Sequence, residues 1–148
     1  MEDQFAGGYV GFLARFLASV VDTFLAMVII TPVLFGVYGE SLLSVESFSG
    51  GPLYYLMTWV FPAVAVVLFW IARSATPGKM LIRAKIVDAR TGGKPSTGQL
   101  IGRYFAYYVS MLPLFLGFIW IAFDKRKQGW HDKLARTVVV YAPKKTGL

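Results

Sequence analysis

Two long apolar segments constrain this chain more than any other feature of its sequence. The first runs from about residue 12 to 37 and is interrupted only by Arg15 and Asp22, and the second, about 53–72, carries no charge. Each is long enough for a helix that spans a bilayer, which takes about 20 residues. Only 16% of the 148 residues are charged, against about 25% in soluble domains. The sequence therefore predicts an all-α integral membrane protein with a single domain.

The charges around these segments predict how the chain is oriented. The loop between them, residues 38–51, contains Glu40 and Glu46 but no lysine or arginine, whereas residues 73–103 contain seven basic residues. Lysine and arginine accumulate in the cytoplasmic loops of membrane proteins. We therefore expect a protein of the cell (inner) membrane whose acidic loop is outside and whose N-terminus and basic segment are in the cytoplasm.

A third apolar block, about residues 104–123, is expected to enter the membrane and return as a broken helical hairpin. A single crossing would place the basic tail, residues 124–148, outside, against the distribution of charge upstream. Pro113 and Gly117 offer a helix break within the block. Irregular backbone at that depth is tolerated where protein or a cavity covers it. Two half-helices joined at this break would return the C-terminus to the cytoplasm.

Two short segments on the expected cytoplasmic side have the pattern of β-strands. Residues 80–87 alternate apolar and charged side chains, and residues 137–142, TVVVYA, are rich in β-branched side chains. An isolated strand pair is only marginally stable in water, so each segment would gain from pairing with the other. Because they can pair only on one side of the membrane, this small β element also favours placing both termini in the cytoplasm.

Asp22 is the most informative charged residue. If the first helix enters hydrocarbon near Phe12, Asp22 lies about 15 Å deeper, near the bilayer centre, where an aspartate costs about 2.5–3.5 kcal/mol. We expect it to face protein, and either to exchange a proton and a small cation or to fix helix packing. Arg15, two turns earlier, would lean away from Asp22 and either snorkel to lipid phosphates or bind Asp132.

The remaining polar residues predict no enzyme activity. There is no cysteine, and a single histidine, His131, makes neither a metal site nor a catalytic triad. We therefore expect no cofactor and no bound metal. His131 could sense pH, but packing beside Trp130 at the interface is the simpler expectation. The net charge of +7 indicates contact with anionic lipid headgroups rather than with nucleic acid.

The charged residues and the basic segment together match the pattern of a known family. The chain resembles the RDD family of small prokaryotic membrane proteins, which is named for one arginine and two aspartates. ARFLASVVD supplies Arg15 and Asp22, and DKRKQGWHDKLARTVVV supplies Asp132, with Asp124 as a rival for the last aspartate. The central segment also resembles the family's T-x-G-K block, with Thr76, Gly78 and Lys79 at the three fixed positions of the motif, in the sequence ATPGKMLIRAKIVDARTGGKPS.

The resemblance implies a role in transport, since some members of the family look like oligomeric sodium (lithium, potassium)/proton antiporters. By this analogy Asp22 would alternate between a proton and a monovalent cation. Arg15 and Asp132 would act as charge partners or as a gate, and a homo-oligomer would enclose the path. Secondary candidates for this site are polar residues that flank the apolar segments: Lys79, Arg103, Asp124 and His131.

The alternative is a non-transporting accessory or assembly protein, which would bind a membrane partner or anionic lipid through its basic cytoplasmic face. Under this hypothesis the charged residues hold the helices together. Replacing Asp22 by asparagine would then impair assembly rather than a transport activity, and replacing basic cytoplasmic residues would impair function more.

Overall fold

The computed structural model describes residue 5, residues 7–44 and residues 50–143. Glu46, Lys144 and Lys145, which contributed to the predicted orientation, lie outside the described residues. In chain order the helices and strands are α1 (Phe12–Tyr38), α2 (Pro52–Tyr55), α3 (Phe61–Arg73), α4 (Pro77–Leu81), β1 (Ala84–Asp88), α5 (Thr97–Met111), α6 (Leu116–Phe123), α7 (Trp130–Leu134) and β2 (Thr137–Tyr141).

Two long helices form the apolar part of the molecule, as predicted. α1 continues into a 3₁₀ turn, Gly39–Leu43, and α2 continues through five π-helical residues, Leu56–Val60, into α3. The wide π turn ends just before Pro62, whose ring has no amide donor for a regular helical hydrogen bond. Both helices are long and apolar enough to cross a membrane.

The outer surface of these helices is apolar and exposed. Phe24, Met27, Trp59 and Leu68 each leave more than half of their surface uncovered within one chain. A contiguous apolar surface of this kind is unfavourable in water and is typical of contact with lipid or with another protein.

The third apolar block is a bent helix pair, which confirms the predicted broken hairpin. α5 and α6 meet at 99°, and in the break between them Leu114 and Phe115 adopt left-handed φ angles of 53° and 61°. Pro113 lies in this break, but the expected break at Gly117 is wrong. Gly117 lies inside α6, where an added Cβ would come within 2.5 Å of Ser110 Cα. Its missing side chain lets α5 and α6 approach closely.

β1 and β2 pair in the antiparallel sense, with Ala84 opposite Tyr141, which confirms the predicted strand pairing. Tyr9 forms a bridge to Val140 on the other side of β2. The segment before α1 is therefore joined to the C-terminal strand. We call this end of the molecule, residues 7–11, 74–96 and 124–143, the polar end.

The first strand begins later than its alternating pattern indicated. Met80 and Leu81 belong to the short helix α4, and β1 starts only at Ala84. The reason is Pro77, whose fixed φ suits the first position of a helix. Residues 80 and 81 therefore follow the helical backbone that this proline starts.

Both ends of the bent pair lie at the polar end. In the first turn of α5, Gln99 Nε2 donates to Asp88 Oδ2 of β1 at 2.7 Å. Just after α6, Asp124 Oδ1 pairs with Lys133 Nζ of α7 at 2.6 Å. The third block thus returns to the side from which it starts.

The main hydrophobic core also lies at the polar end rather than between the long helices. Its fully buried members come from the segment before α1, the end of α3, both strands and α5: Val10, Trp70, Ile86, Leu100 and Val139. This core holds the starts of α1 and α5 beside the C-terminal segment. The charged side chains near the starts of both helices are therefore brought together.

Candidate functional site

Asp132 is the centre of a buried ionic network at the polar end. Arg15 Nη1 lies 2.5 Å from Asp132 Oδ2, and Arg103 Nη1 contacts Asp132 Oδ1. The backbone N–H of Gly129 donates to Oδ2 at 2.9 Å, which caps the start of α7. His131 Nε2 lies 3.5 Å from Oδ2. Asp132 is fully buried, so its charge is balanced by protein groups rather than by water.

Arg15 connects the first turn of α1 to the C-terminal segment. Its Nε donates to the carbonyl oxygen of Val10 at 2.9 Å, its Nη1 pairs with Asp132, and its Nη2 donates to the carbonyl oxygen of Lys127. The residue is only 6% exposed. Of the two roles that the sequence allowed for Arg15, the structure has the pairing with Asp132 and not snorkelling to lipid.

Arg103, from the second turn of α5, shares the same carboxylate. Its Nη1 also donates to Thr137 Oγ1 of β2 at 2.6 Å. The guanidinium carbon lies 5.4 Å from the ring centroid of Trp70 and 5.8 Å from that of Tyr107, within the range of a cation–π interaction. Arg103 is completely buried, and a buried guanidinium needs a paired anion, which Asp132 supplies.

His131 lies in the interior rather than beside Trp130 at an interface, so that expectation was wrong. The ring sits between Tyr107 and Phe118, with centroid separations of 4.5 and 4.9 Å. His131 Nδ1 lies 3.1 Å from Ser110 Oγ. The short helix α7 turns this side chain toward α5 and α6, where aromatic rings replace water around it.

Burial and the neighbouring charges fix the protonation states within the network. Burial lowers the pKa of His131 to about 3, although the Asp132 carboxylate acts in the opposite direction. Burial alone would raise the pKa of Asp132, but Arg103 and Arg15 outweigh it and hold that pKa well below its usual range. At physiological pH the aspartate is therefore ionised and the histidine is neutral.

Asp22 has a different environment from Asp132. Thr76 Oγ1 donates to Asp22 Oδ2 at 2.5 Å, and the backbone N–H of Gly78 donates to Oδ1 at 2.7 Å. Both donors are uncharged, and within the described ranges no lysine, arginine or histidine is paired with Asp22. A Cβ at position 78 would overlap the carbonyl oxygen of Ala18. Glycine is therefore required for this close approach of α4 to α1.

The contacts of Asp22 also revise its expected depth. Thr76 and Gly78 follow Arg73, which is the last residue of α3. Asp22 is therefore level with the polar residues after the second long helix and not with the middle of that helix. The expectation of a place near the bilayer centre assumed that α1 enters hydrocarbon at Phe12, whereas one face of the first three turns of α1, with Arg15 and Ala18 buried, contacts residues of the polar end.

Lys79 is a buried cation next to the Asp22 contact. The residue is only 5% exposed, and no described carboxylate forms an ion pair with it. Its charge is close enough to His131 to lower the pKa of that imidazole. Lys79 therefore brings a positive charge without a paired carboxylate to the region between Asp22 and Asp132.

Asp124, the rival for the second aspartate of the signature, belongs to a separate surface turn. It pairs with Lys133 and accepts hydrogen bonds from the backbone N–H groups of Arg126 and Gln128 at 3.0 and 3.1 Å. Partial burial raises its pKa, but the hydrogen bonds outweigh this and lower the pKa. Asp124 contacts neither arginine of the network, so the geometry favours Asp132 as the signature residue.

The hydrogen-bond donors of Asp22 were not identified from the sequence as its partners. Thr76 is the residue just before α4 and Gly78 lies in its first turn, where the free N–H groups of a helix start favour a carboxylate. Their pairing with Asp22 spans more than 50 residues of sequence, which a local pattern does not reveal. Among the described residues no group of three histidine, aspartate or glutamate side chains could hold a metal ion.

Comparisons with known proteins match the chain to one family. The model of the RDD family matches residues 9–136. An uncharacterized protein of Rickettsia prowazekii (strain Madrid E) is 40% identical over 74 residues, which cover 50% of this chain and 40% of that protein. The uncharacterized protein YxaI of Bacillus subtilis (strain 168) is 33% identical over 147 residues, with 88% of this chain and 96% of that protein covered. No solved structure matches the chain significantly.

Proposed function

The chain belongs to the RDD family and is a membrane protein, and on this premise we propose that it exchanges a monovalent cation for a proton at Asp22. The observation that supports this is the partly buried carboxylate of Asp22, which is held by the uncharged donors of Thr76 and Gly78. A carboxylate without a paired cation keeps a charge that either a proton or a small cation can neutralise. Because both ligands use the same oxygens, each excludes the other.

In this mechanism the Asp132 network has a structural role, and Lys79 has an electrostatic one. The network fixes the starts of α1 and α5, because its ionised carboxylate is held by two arginines. Lys79 is the buried cation nearest in sequence to the Asp22 contact. Its ammonium group forms no ion pair with Asp22, so the positive charge favours the ionised carboxylate without occupying the oxygens that a proton or a cation would bind.

We further propose that the protein works as a homo-oligomer in the cell membrane. The large apolar side chains of α1 and α3 are exposed in one chain, so a closed path for ions needs helices from another copy. The polar end and both termini would be cytoplasmic, because basic residues are concentrated there and such residues remain on the cytoplasmic side.

The test is cation-driven proton movement in proteoliposomes that contain the full-length protein. Sodium, potassium or lithium is added outside while a pH gradient is followed with an internal dye. We expect dissipation with the native protein and its loss in Asp22→Asn. Asparagine keeps an acceptor for Gly78 N–H but has no charge. The matched control is Asp124→Asn, which removes a carboxylate at the polar end and should leave the exchange intact.

Two results would contradict the mechanism. Exchange that persists in Asp22→Asn would show that another group carries the proton. If the native protein moves no protons with any of the three cations, the transport proposal itself fails, provided that the reconstituted protein is inserted and monodisperse.

One observation favours the accessory or assembly function instead. Arg15, Arg103 and Asp132 form a locked network, and the Asp22 contact likewise joins α1 to α4. Charged residues used in this way hold helices together without moving ions. Inactive proteoliposomes combined with a lower unfolding temperature of Asp22→Asn would support that function, and the search would turn to a membrane partner of the basic face.

A further inference from the structure

A cluster of basic residues lies at the end of α3 and is separate from the sites at Asp22 and Asp132. A surface cavity of about 350 Å³ is lined there by three basic residues, Arg73, Lys85 and Lys94. The rest of its lining consists of small or apolar residues and one serine, and no aspartate or glutamate contributes to it. Gly92 and Gly93 are among these small residues.

The three basic side chains are not neutralised by the protein. None of them forms an ion pair with a carboxylate among the residues that the structure describes. The carboxyl end of α3 contributes about half a negative charge. Three cations exceed this, so the cavity has a net positive charge.

A larger cavity at the polar end differs from the smaller one because carboxylates line it. The larger cavity, of about 1260 Å³, is also lined by basic residues, but Asp88 and Asp124 line it too. Lys133 pairs there with Asp124, and Arg126 donates to the carbonyl oxygen of Ala89. The two carboxylates therefore offset half of the four positive charges that line it.

The position of the smaller cavity indicates which anion it meets. Arg73 is the last residue of α3, which belongs to a helical segment long and apolar enough to cross a membrane, and cationic residues near the end of such a segment lie at the level of lipid phosphates. We propose that Arg73, Lys85 and Lys94 bind the phosphate of an anionic phospholipid headgroup. This site does not depend on ion exchange at Asp22.

The proposal can be tested by lipid binding to the full-length protein in a neutral detergent. Native mass spectrometry would measure retention of short-chain phosphatidylglycerol, with phosphatidylcholine and inorganic phosphate as comparison ligands. We expect selective retention of phosphatidylglycerol. The combined variant Arg73→Gln, Lys85→Gln, Lys94→Gln should weaken it by more than tenfold, since each well-placed cation contributes about fivefold. Lys85→Arg with Lys94→Arg should retain binding, because the charges are kept.

The matched control removes three charges elsewhere on the polar end, with Arg90→Gln, Lys125→Gln and Arg136→Gln. This variant should bind phosphatidylglycerol as the native protein does. Equal losses in the two triple variants, both eluting as folded protein, would reduce the effect to general attraction and overturn the site. Equal retention of phosphatidylcholine, or binding of inorganic phosphate alone, would also overturn the assignment to an anionic lipid.

Discussion

Asp22 and Asp132 are both held beside the first turn of a short helix, yet their partners differ in charge. Asp132 is fully buried and is contacted by Arg15 and Arg103. Asp22 is partly buried and accepts from one hydroxyl and one backbone amide. The comparison teaches that two aspartates of one signature need not share a role. The charge of the partners makes Asp132 a fixed part of the fold, whereas the uncharged partners of Asp22 make it the residue for which we propose ligand exchange.

The comparison is tested most strongly by removing each charge in turn. Asp132→Asn leaves two buried arginines without their anion and should lower the free energy of unfolding by about 3–5 kcal/mol. Asp22→Asn keeps neutral hydrogen bonds and should cost less than half as much. Thermal unfolding of the detergent-solubilised protein, followed by the loss of its monodisperse elution peak, measures both. Equal losses of stability in the two variants would remove the distinction between the aspartates.

His131, which lies beside Asp132, should make the stability of the Asp132 network depend on pH. The pKa of His131 is about 3 in the folded protein and 6.5 in an unfolded chain, so between these two pH values the proton binds mainly to the unfolded state. Stability is therefore fully present above pH 6.5 and falls as pH is lowered, by about 1.4 kcal/mol per unit between pH 6 and 4.5. Asp132 adds no slope there, because it is ionised in both states.

This pH slope should disappear in His131→Gln, whatever the stability of that variant at neutral pH. Denaturant unfolding at several pH values, followed by tryptophan fluorescence, would measure it. A slope that is unchanged in the variant would assign the titration to another group.

A smaller effect is expected from the glycine that brings α4 to Asp22. In Gly78→Ala the new Cβ meets the carbonyl oxygen of Ala18, so the helices must separate, at a cost of about 1–3 kcal/mol. Cation-driven proton movement should decrease with it, since Gly78 N–H moves away from the carboxylate. Gly102→Ala is the control, because nothing lies within 4 Å of a Cβ there. Equal behaviour of the two variants would show that the close approach is unnecessary.

The apolar elements could be predicted because their signals are local. Long apolar runs set the limits of the long helices to within about one residue of residues 12–38 and 52–73. The basic residues on both sides of the third block indicated its return, and β-branched composition indicated β2. In each case the information lies in neighbouring residues, whose hydrophobicity or charge decides the structure by itself.

The site could be predicted only in part because its contacts are distant in sequence. Arg15 and Asp132 are 117 residues apart, and Asp22 and Gly78 are 56 apart. The opposite charges of Arg15 and Asp132 suggested their pairing as one of two possible roles for Arg15. Charge gave no indication that a backbone amide is the partner of Asp22. Gly117 was misjudged for a related reason. A glycine in an apolar run is typical of a break and of close packing alike, and only the neighbouring helix decides between them.

The link between Arg15 and Asp132 also sets an order of events during synthesis. The carboxylate is made 117 residues after the arginine, which takes about 6–23 s at 5–20 residues per second. During that interval Arg15 has been made but Asp132, the carboxylate with which it pairs, has not. The ion pair of Arg15 in α1 thus forms only after the segment that contains Asp132 has been made. A nascent chain that stops before residue 132 would present an unpaired arginine that membrane quality control could recognise.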